Sequence, residues 1–298
     1  MQTFEQQEID LGGGEHVVAR FFAPTGPARG ALLLAPAMAV PQTYYTAFAE
    51  WLARQGLLVA TFDYRGIGLS RRGHLRELDA DVIGWATRDC AAMVDAVGAR
   101  APGLPLYWLG HSLGGQILPF VPNNDKVDKV LTIATGSGYW RENTASLKRT
   151  VWSMWYFFVP LAVPLCGYFP GKRLGMVGDL PRGVIEQWRR WCLHRDYAVG
   201  VEGATARARY EAIRQPIVSL SFTDDEYMTA RSIAAIHDSY SNAPRDMRRI
   251  APEQIGVRRI GHFGFFKPAF EQSLWQTHLL PELRLDTAAA GRAYSPIQ

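Results

Sequence analysis

The sequence predicts an α/β protein: a mostly parallel central sheet with helices on both faces, interrupted by an inserted helical segment. Three observations carry this expectation. Short apolar, β-branched runs at 17–22, 31–35, 57–62, 104–109 and 130–134 have the length and continuity of strands buried on both faces. Helical patterns such as "TYYTAFAEWLARQG" and "WATRDCAAMVDAVGARA" lie between them, and alternation of this kind implies parallel pairing through crossovers. After about Thr135 the rhythm gives way to Trp- and Tyr-rich helical text, then resumes at "QPIVSLSF" and near "MRRIAPEQIGVRRIGH". The expected organisation is therefore a core formed by residues 1–136 and 214–298, with an aromatic-rich helical cap over 137–213.

Length and composition agree. A chain of 298 residues with 48% hydrophobic content buries a full core. A net charge of +4, spread over pairs such as Arg71-Arg72 and Arg258-Arg259, describes solvated faces and gives no nucleic-acid footprint. Three cysteines, Cys90, Cys166 and Cys192, suit neither a disulfide framework nor a metal site, and the N-terminal text lacks the pattern of a secretion signal. A cytoplasmic protein without cofactor or metal is expected. "LGGGEH", having no following helix, reads as a turn between strands.

The element order then locates the chemistry. "LPLYWLGHSLGG" places Gly110-His111-Ser112-Leu113-Gly114 between a strand and a helix, the setting in which a G-x-S-x-G turn presents a nucleophilic serine. The glycines two residues before and after Ser112 remove side chains where strand and helix cross, and the helix start offers free N–H groups to an oxyanion. A serine needs a base. Of seven histidines, His262 in "RRIGHFGFF" lies after the last expected strand, on a glycine-flanked loop able to reach the same sheet edge. The orienting acid belongs just beyond the strand "PIVSLSF", where "TDDE" supplies Asp225 and, as the alternative, Asp224. Whichever does not face the histidine is expected to cap the next helix, with Glu226 in its first turn. Asp63 and Arg65 of "FDYRGIGLS" are expected to brace their own loop by hydrogen bonds.

The order serine, aspartate, histidine resembles that of the α/β-hydrolase superfamily. "PAMAVPQ", "DYRGIGLS", "GHSLGG", "SFTDDE" and "GHFGFF" are similar to a bacterial branch related to serine aminopeptidase-type and monoacylglycerol lipase-like hydrolases. The resemblance implies Ser112 as nucleophile, His262 as base, Asp225 as orienter, and the N–H groups of Met38 and Leu113 as the oxyanion hole. It departs at Pro36-Ala37, where many relatives carry His-Gly.

Serine chemistry on an acyl carbon is the expected activity, with a hydrophobic carboxylic ester or thioester as substrate. A peptidase would need an acidic anchor for an amino terminus, for which the insertion offers Glu142, Asp179, Glu186, Asp196 and Glu202. A non-catalytic binding protein on the same fold is the third reading. Within the insertion "VWSMWYFFVPLAVPLCGYFPG" is long and apolar, but Pro160, Pro164, Gly167 and Pro170 interrupt it. It is expected to form a cap helix to about Val159 followed by a turn, with Trp155, Tyr156, Phe157 and Phe158 facing the substrate. No transmembrane segment is expected; peripheral contact with lipid is compatible with this run.

Overall fold

The structure, a computed structural model, describes residues 3–283. The outermost parts of the two expected core segments, 1–2 and 284–298, lie outside the described residues.

Eight strands form one sheet: β1 (Glu5–Gly12), β2 (Glu15–Phe22), β3 (Gly30–Ala35), β4 (Leu57–Phe62), β5 (Leu106–His111), β6 (Lys129–Ile133), β9 (Ile217–Phe222) and β10 (Arg245–Ile250). Two short strands, β7 (Tyr168–Pro170) and β8 (Asp179–Pro181), pair antiparallel outside it. The sheet order is β1-β2-β4-β3-β5-β6-β9-β10. Pairing is parallel from β4 to β10, while β1 and β2 are antiparallel, joined by the "GGG" turn anticipated from the sequence. One boundary moves: β5 starts at Leu106, not Leu104, because Pro105 has no N–H to donate, and its carbonyl accepts from Ala31 N at 2.8 Å.

Strand periodicity sorts the core into two layers. Ala31, Leu33 and Ala35 belong to one apolar cluster, Leu32 and Leu34 to the other. The first layer takes the helical stretch 82–100 and much of the insertion; the second takes the helix Thr46–Arg54 and the C-terminal helical residues 271–283. Each buried leucine or valine contributes about 1.5–3 kcal/mol of transfer free energy, so the two-sided burial of β3, β4 and β5 makes the centre of the sheet the rigid platform of the molecule.

The expected loop bracing is present. Asp63 accepts from Gln42 N at 2.7 Å and Leu69 N at 2.9 Å, and Arg65 pairs with the buried Asp89 at 2.7 Å. Burial outweighs that pairing and pushes the Asp89 carboxyl up to about 6.

Between β6 and β9 the chain forms helices at 145–166 and Arg182–Leu193, and a helical stretch Tyr197–Ala212 that is kinked at Gly203. The first departs from expectation by continuing past Val159 to Cys166, where Gly167 ends it at φ +77°. A wide helical turn over Met154–Phe158 ends two residues before Pro160, and Pro164 follows four residues after that, so the missing N–H of Pro164 falls opposite Pro160 on one stripe of the helix. Among the described residues no helix is long and apolar enough to cross a membrane. All three cysteines are unpaired, two of them buried.

Candidate active site

Ser112 follows the last residue of β5 at φ +50°, ψ −110°, a backbone conformation that costs a non-glycine residue of order 1–3 kcal/mol. The turn is held by Ser112 N donating to Ile133 O at 3.0 Å, and by Gly115 N and Thr135 Oγ1 donating to Ser112 O at 3.1 Å each. Both flanking glycines are required by close packing. A Cβ on Gly110 would sit 2.3 Å from Gly115 N, and one on Gly114 would sit 2.0 Å from Ala35 O. The following helix is a single turn, Leu113–Gln116, shorter than the sequence suggests because Pro119 and Pro122 lie just beyond it. Its field is correspondingly small.

Met38 belongs to the turn after β3, closed by Val40 N donating to Ala37 O at 3.2 Å, with Ala39 at φ +59°. Among the described residues neither Met38 N–H nor Leu113 N–H has an acceptor.

The acidic run after β9 divides its labour by direction. Asp225 is fully buried at its side chain; Oδ2 meets His262 Nδ1 at 2.8 Å, while Oδ1 accepts from Tyr227 N and Met228 N at 2.8 and 2.9 Å. Asp224 instead accepts from Ile260 N at 2.8 Å and Gly261 N at 3.1 Å, and Glu226 accepts from His262 N at 3.1 Å. Gly261 makes this possible at φ +66°, a conformation that favours glycine. The expectation that the spare aspartate caps the next helix is therefore corrected: Thr229 caps it, its Oγ1 accepting from Ser232 N at 3.2 Å, while all three acidic side chains bind the histidine loop. A carboxylate only accepts, so Nδ1 of His262 is the donor to Asp225.

Ser112, Met38 and His262 line one cavity of about 450 Å³, roofed by the insertion. Among the described residues the Ser112 hydroxyl makes no hydrogen bond. Leu147, Val151, Met154 and Trp155 contribute the roof from successive turns of the first inserted helix. This spacing is one helical face, and it corrects the expected aromatic set. Trp155 lines the cavity, whereas Tyr156, Phe157 and Phe158 do not line it and are exposed.

Among the described residues no Asp, Glu, Lys or Arg lines the cavity. The five acids considered as amino-terminal anchors lie elsewhere. Glu142 pairs with Arg231, Asp179 with Arg71, and Glu186 with Arg182; Glu202 accepts from Gln187 and Trp191; Asp196 is exposed. Among the described residues no cluster of His, Cys, Asp and Glu is arranged to hold a metal ion.

Comparison with known proteins gives a consistent picture. The family model described as serine aminopeptidase, S33, matches residues 26–163. A monoacylglycerol lipase of Mycolicibacterium smegmatis is 35% identical over 108 residues, 36% of this chain and 37% of that protein. The human monoglyceride lipase is 31% identical over 104 residues, 35% of this chain and 33% of that protein. The match thus spans about a third of the length of these curated relatives. A soluble variant of monoglyceride lipase from Saccharomyces cerevisiae, solved with a substrate analogue, superposes with a TM-score of 0.59 at 14% identity, covering 84% of this chain and 87% of that one. A thermostable carboxyl esterase from Bacillus coagulans gives 0.59 at 13% identity, covering 84% and 91%. At these identities the structures speak to the fold.

Proposed function

We propose that this chain, which has the α/β-hydrolase fold, is a serine hydrolase cleaving carboxylic esters of hydrophobic acyl groups. The observation that carries the reading is the convergence of a strained Ser112, Met38 with its unpartnered N–H, and His262, itself paired with Asp225, on a cavity with no Asp, Glu, Lys or Arg among its described lining residues. In this mechanism Ser112 Oγ attacks the acyl carbon as His262 Nε2 takes its proton. Asp225 steadies the imidazolium, and the N–H groups of Met38 and Leu113 receive the oxyanion. The imidazolium returns the proton to the departing alkoxide, leaving an acyl-enzyme. Water, deprotonated by the same nitrogen, then releases the acid and restores Ser112.

The absence of an acidic anchor from the cavity wall favours an ester over a peptide with a free amino terminus. The apolar roof favours acyl chains over acetate. Each buried methylene contributes about 0.8 kcal/mol, about fourfold in kcat/KM. Passing from butanoate to octanoate p-nitrophenyl esters is therefore expected to raise kcat/KM by up to about two orders of magnitude, with Trp155→Ala removing most of that gain. A preference for acetate, or equal turnover of the matching p-nitroanilide, refutes this substrate class.

The insertion, as the lid of this site, also supplies a surface for lipid. Trp152, Phe157, Leu161 and Leu165 project outward, the last two 62% and 85% exposed. Residues 143–178 contain Lys148, Arg149, Lys172 and Arg173 and no acid. An apolar face rimmed by positive charge fits an anionic lipid surface. Co-sedimentation with phosphatidylglycerol vesicles is expected for the wild type and lost in Leu161→Glu/Leu165→Glu. A wild type that stays in the supernatant excludes the lipid role.

A further inference from the structure

The oxyanion turn, the serine turn and the histidine loop are joined by a hydrogen-bond chain that runs behind the reacting atoms. Ala37 N, one residue before Met38, donates to Tyr45 Oη at 3.0 Å. Tyr45 Oη meets His111 Nδ1 at 2.8 Å, and His111 Nε2 meets the backbone carbonyl of His262 at 3.2 Å. Tyr45 and His111 are both fully buried.

Chemistry sets the direction of every link. A carbonyl only accepts, so His111 Nε2 carries its proton, and Nδ1 is the acceptor for the tyrosine hydroxyl. The tyrosine oxygen, having given its proton to that bond, accepts from Ala37 N–H. Burial and the neighbouring His262 push the His111 imidazole well below its ordinary range, which suits the neutral ring this arrangement requires. Tyr44, the adjacent residue, donates from its hydroxyl to Phe263 O at 2.5 Å, a second hold on the histidine loop with no bond to the oxyanion turn.

We propose that Tyr45 and His111 are positioning residues, locking the carbonyl-binding turn at Met38 to the loop that carries His262 through one polarised chain. This rests on the hydrolase reading of Ser112 and His262. The role is distinct from packing because the chain bridges two loops that lie on opposite sides of the serine turn in sequence. The tetrahedral intermediate needs the oxyanion donors and the base at a fixed separation, and small misplacements of that kind lower kcat rather than ground-state affinity.

Tyr45→Phe removes one oxygen, keeps the ring, and leaves Ala37 N–H and His111 Nδ1 buried without partners. Kinetics are read on a p-nitrophenyl ester and normalised to active sites titrated with a fluorophosphonate. The expected result is a kcat lowered by about tenfold or more with KM within about threefold, against a change in kcat of less than about threefold for Tyr44→Phe. Tyr45→Phe/His111→Gln is expected to be no slower than the slower single variant, as members of one chain should be. A second arm needs no substitution: nitrogen-15 NMR of the wild type at pH 7 should report His111 as the Nε2–H tautomer. Wild-type kcat per titrated site in Tyr45→Phe, a loss confined to the titratable fraction, or an Nδ1–H tautomer overturns the proposal. A wild type that takes no phosphonate overturns the hydrolase reading itself, and with it this role; a labelled wild type with an unaffected Tyr45→Phe overturns the chain alone.

Discussion

Ser112→Ala is expected to lower kcat for ester hydrolysis by about 10⁴- to 10⁶-fold and to abolish covalent labelling by a fluorophosphonate. The loss is large because no other nucleophile in the cavity can replace the hydroxyl: the remaining polar side chains there, Asn143, Thr150, Cys192 and Tyr227, belong to the insertion or to the acid loop, away from the strained turn. Cys192 is further disqualified, since burial pushes its thiol well above the ordinary value. Alanine is accommodated at the same backbone position, so the thermal unfolding midpoint should stay close to that of the wild type. Residual turnover above about 1% in a preparation free of wild type would assign the nucleophile elsewhere.

Asp225→Asn and Asp224→Asn should separate two acids that stand side by side in the sequence. In Asp225→Asn the new side chain can turn its amide N–H toward His262 Nδ1 in place of an acceptor, which disfavours the tautomer that leaves Nε2 free, and kcat should fall by about 10³- to 10⁴-fold. Asp224 touches the backbone of the loop, not the imidazole. Its replacement should lower stability by about 1–3 kcal/mol in a denaturant titration while kcat per titrated site stays within about tenfold. The opposite pattern, with kcat collapsing in Asp224→Asn alone, would exchange the two assignments.

Much of this architecture is written in local patterns. The buried strands declare themselves because a strand covered on both faces must be apolar throughout, and the serine turn because glycine alone fits where β5 crosses the next segment. The errors are equally physical. Tyr156, Phe157 and Phe158 look like the neighbours of Trp155 on paper, but the residues that line the cavity with it are Leu147, Val151 and Met154, three or four apart along the helix, and the other three aromatics are exposed. The helix that continues to Cys166 depends on a wide turn before Pro160, a backbone adjustment with no residue signature of its own. The capping role expected for the spare aspartate went to Thr229, because a carboxylate gains more from several N–H groups of a strained loop than from one helix end.

By itself the sequence determined the fold class, the order serine, aspartate, histidine, and the apolar character of the insertion, since each follows from residue type at a fixed local spacing. Only the tertiary structure decided which of two adjacent carboxylates meets the imidazole, which aromatic side chains line the cavity and which face solvent, and that Tyr45 and His111 join two loops more than 200 residues apart. Direction in space is the reason: side chains one residue apart diverge, and partners on different strands meet only when the sheet brings their ends to one edge.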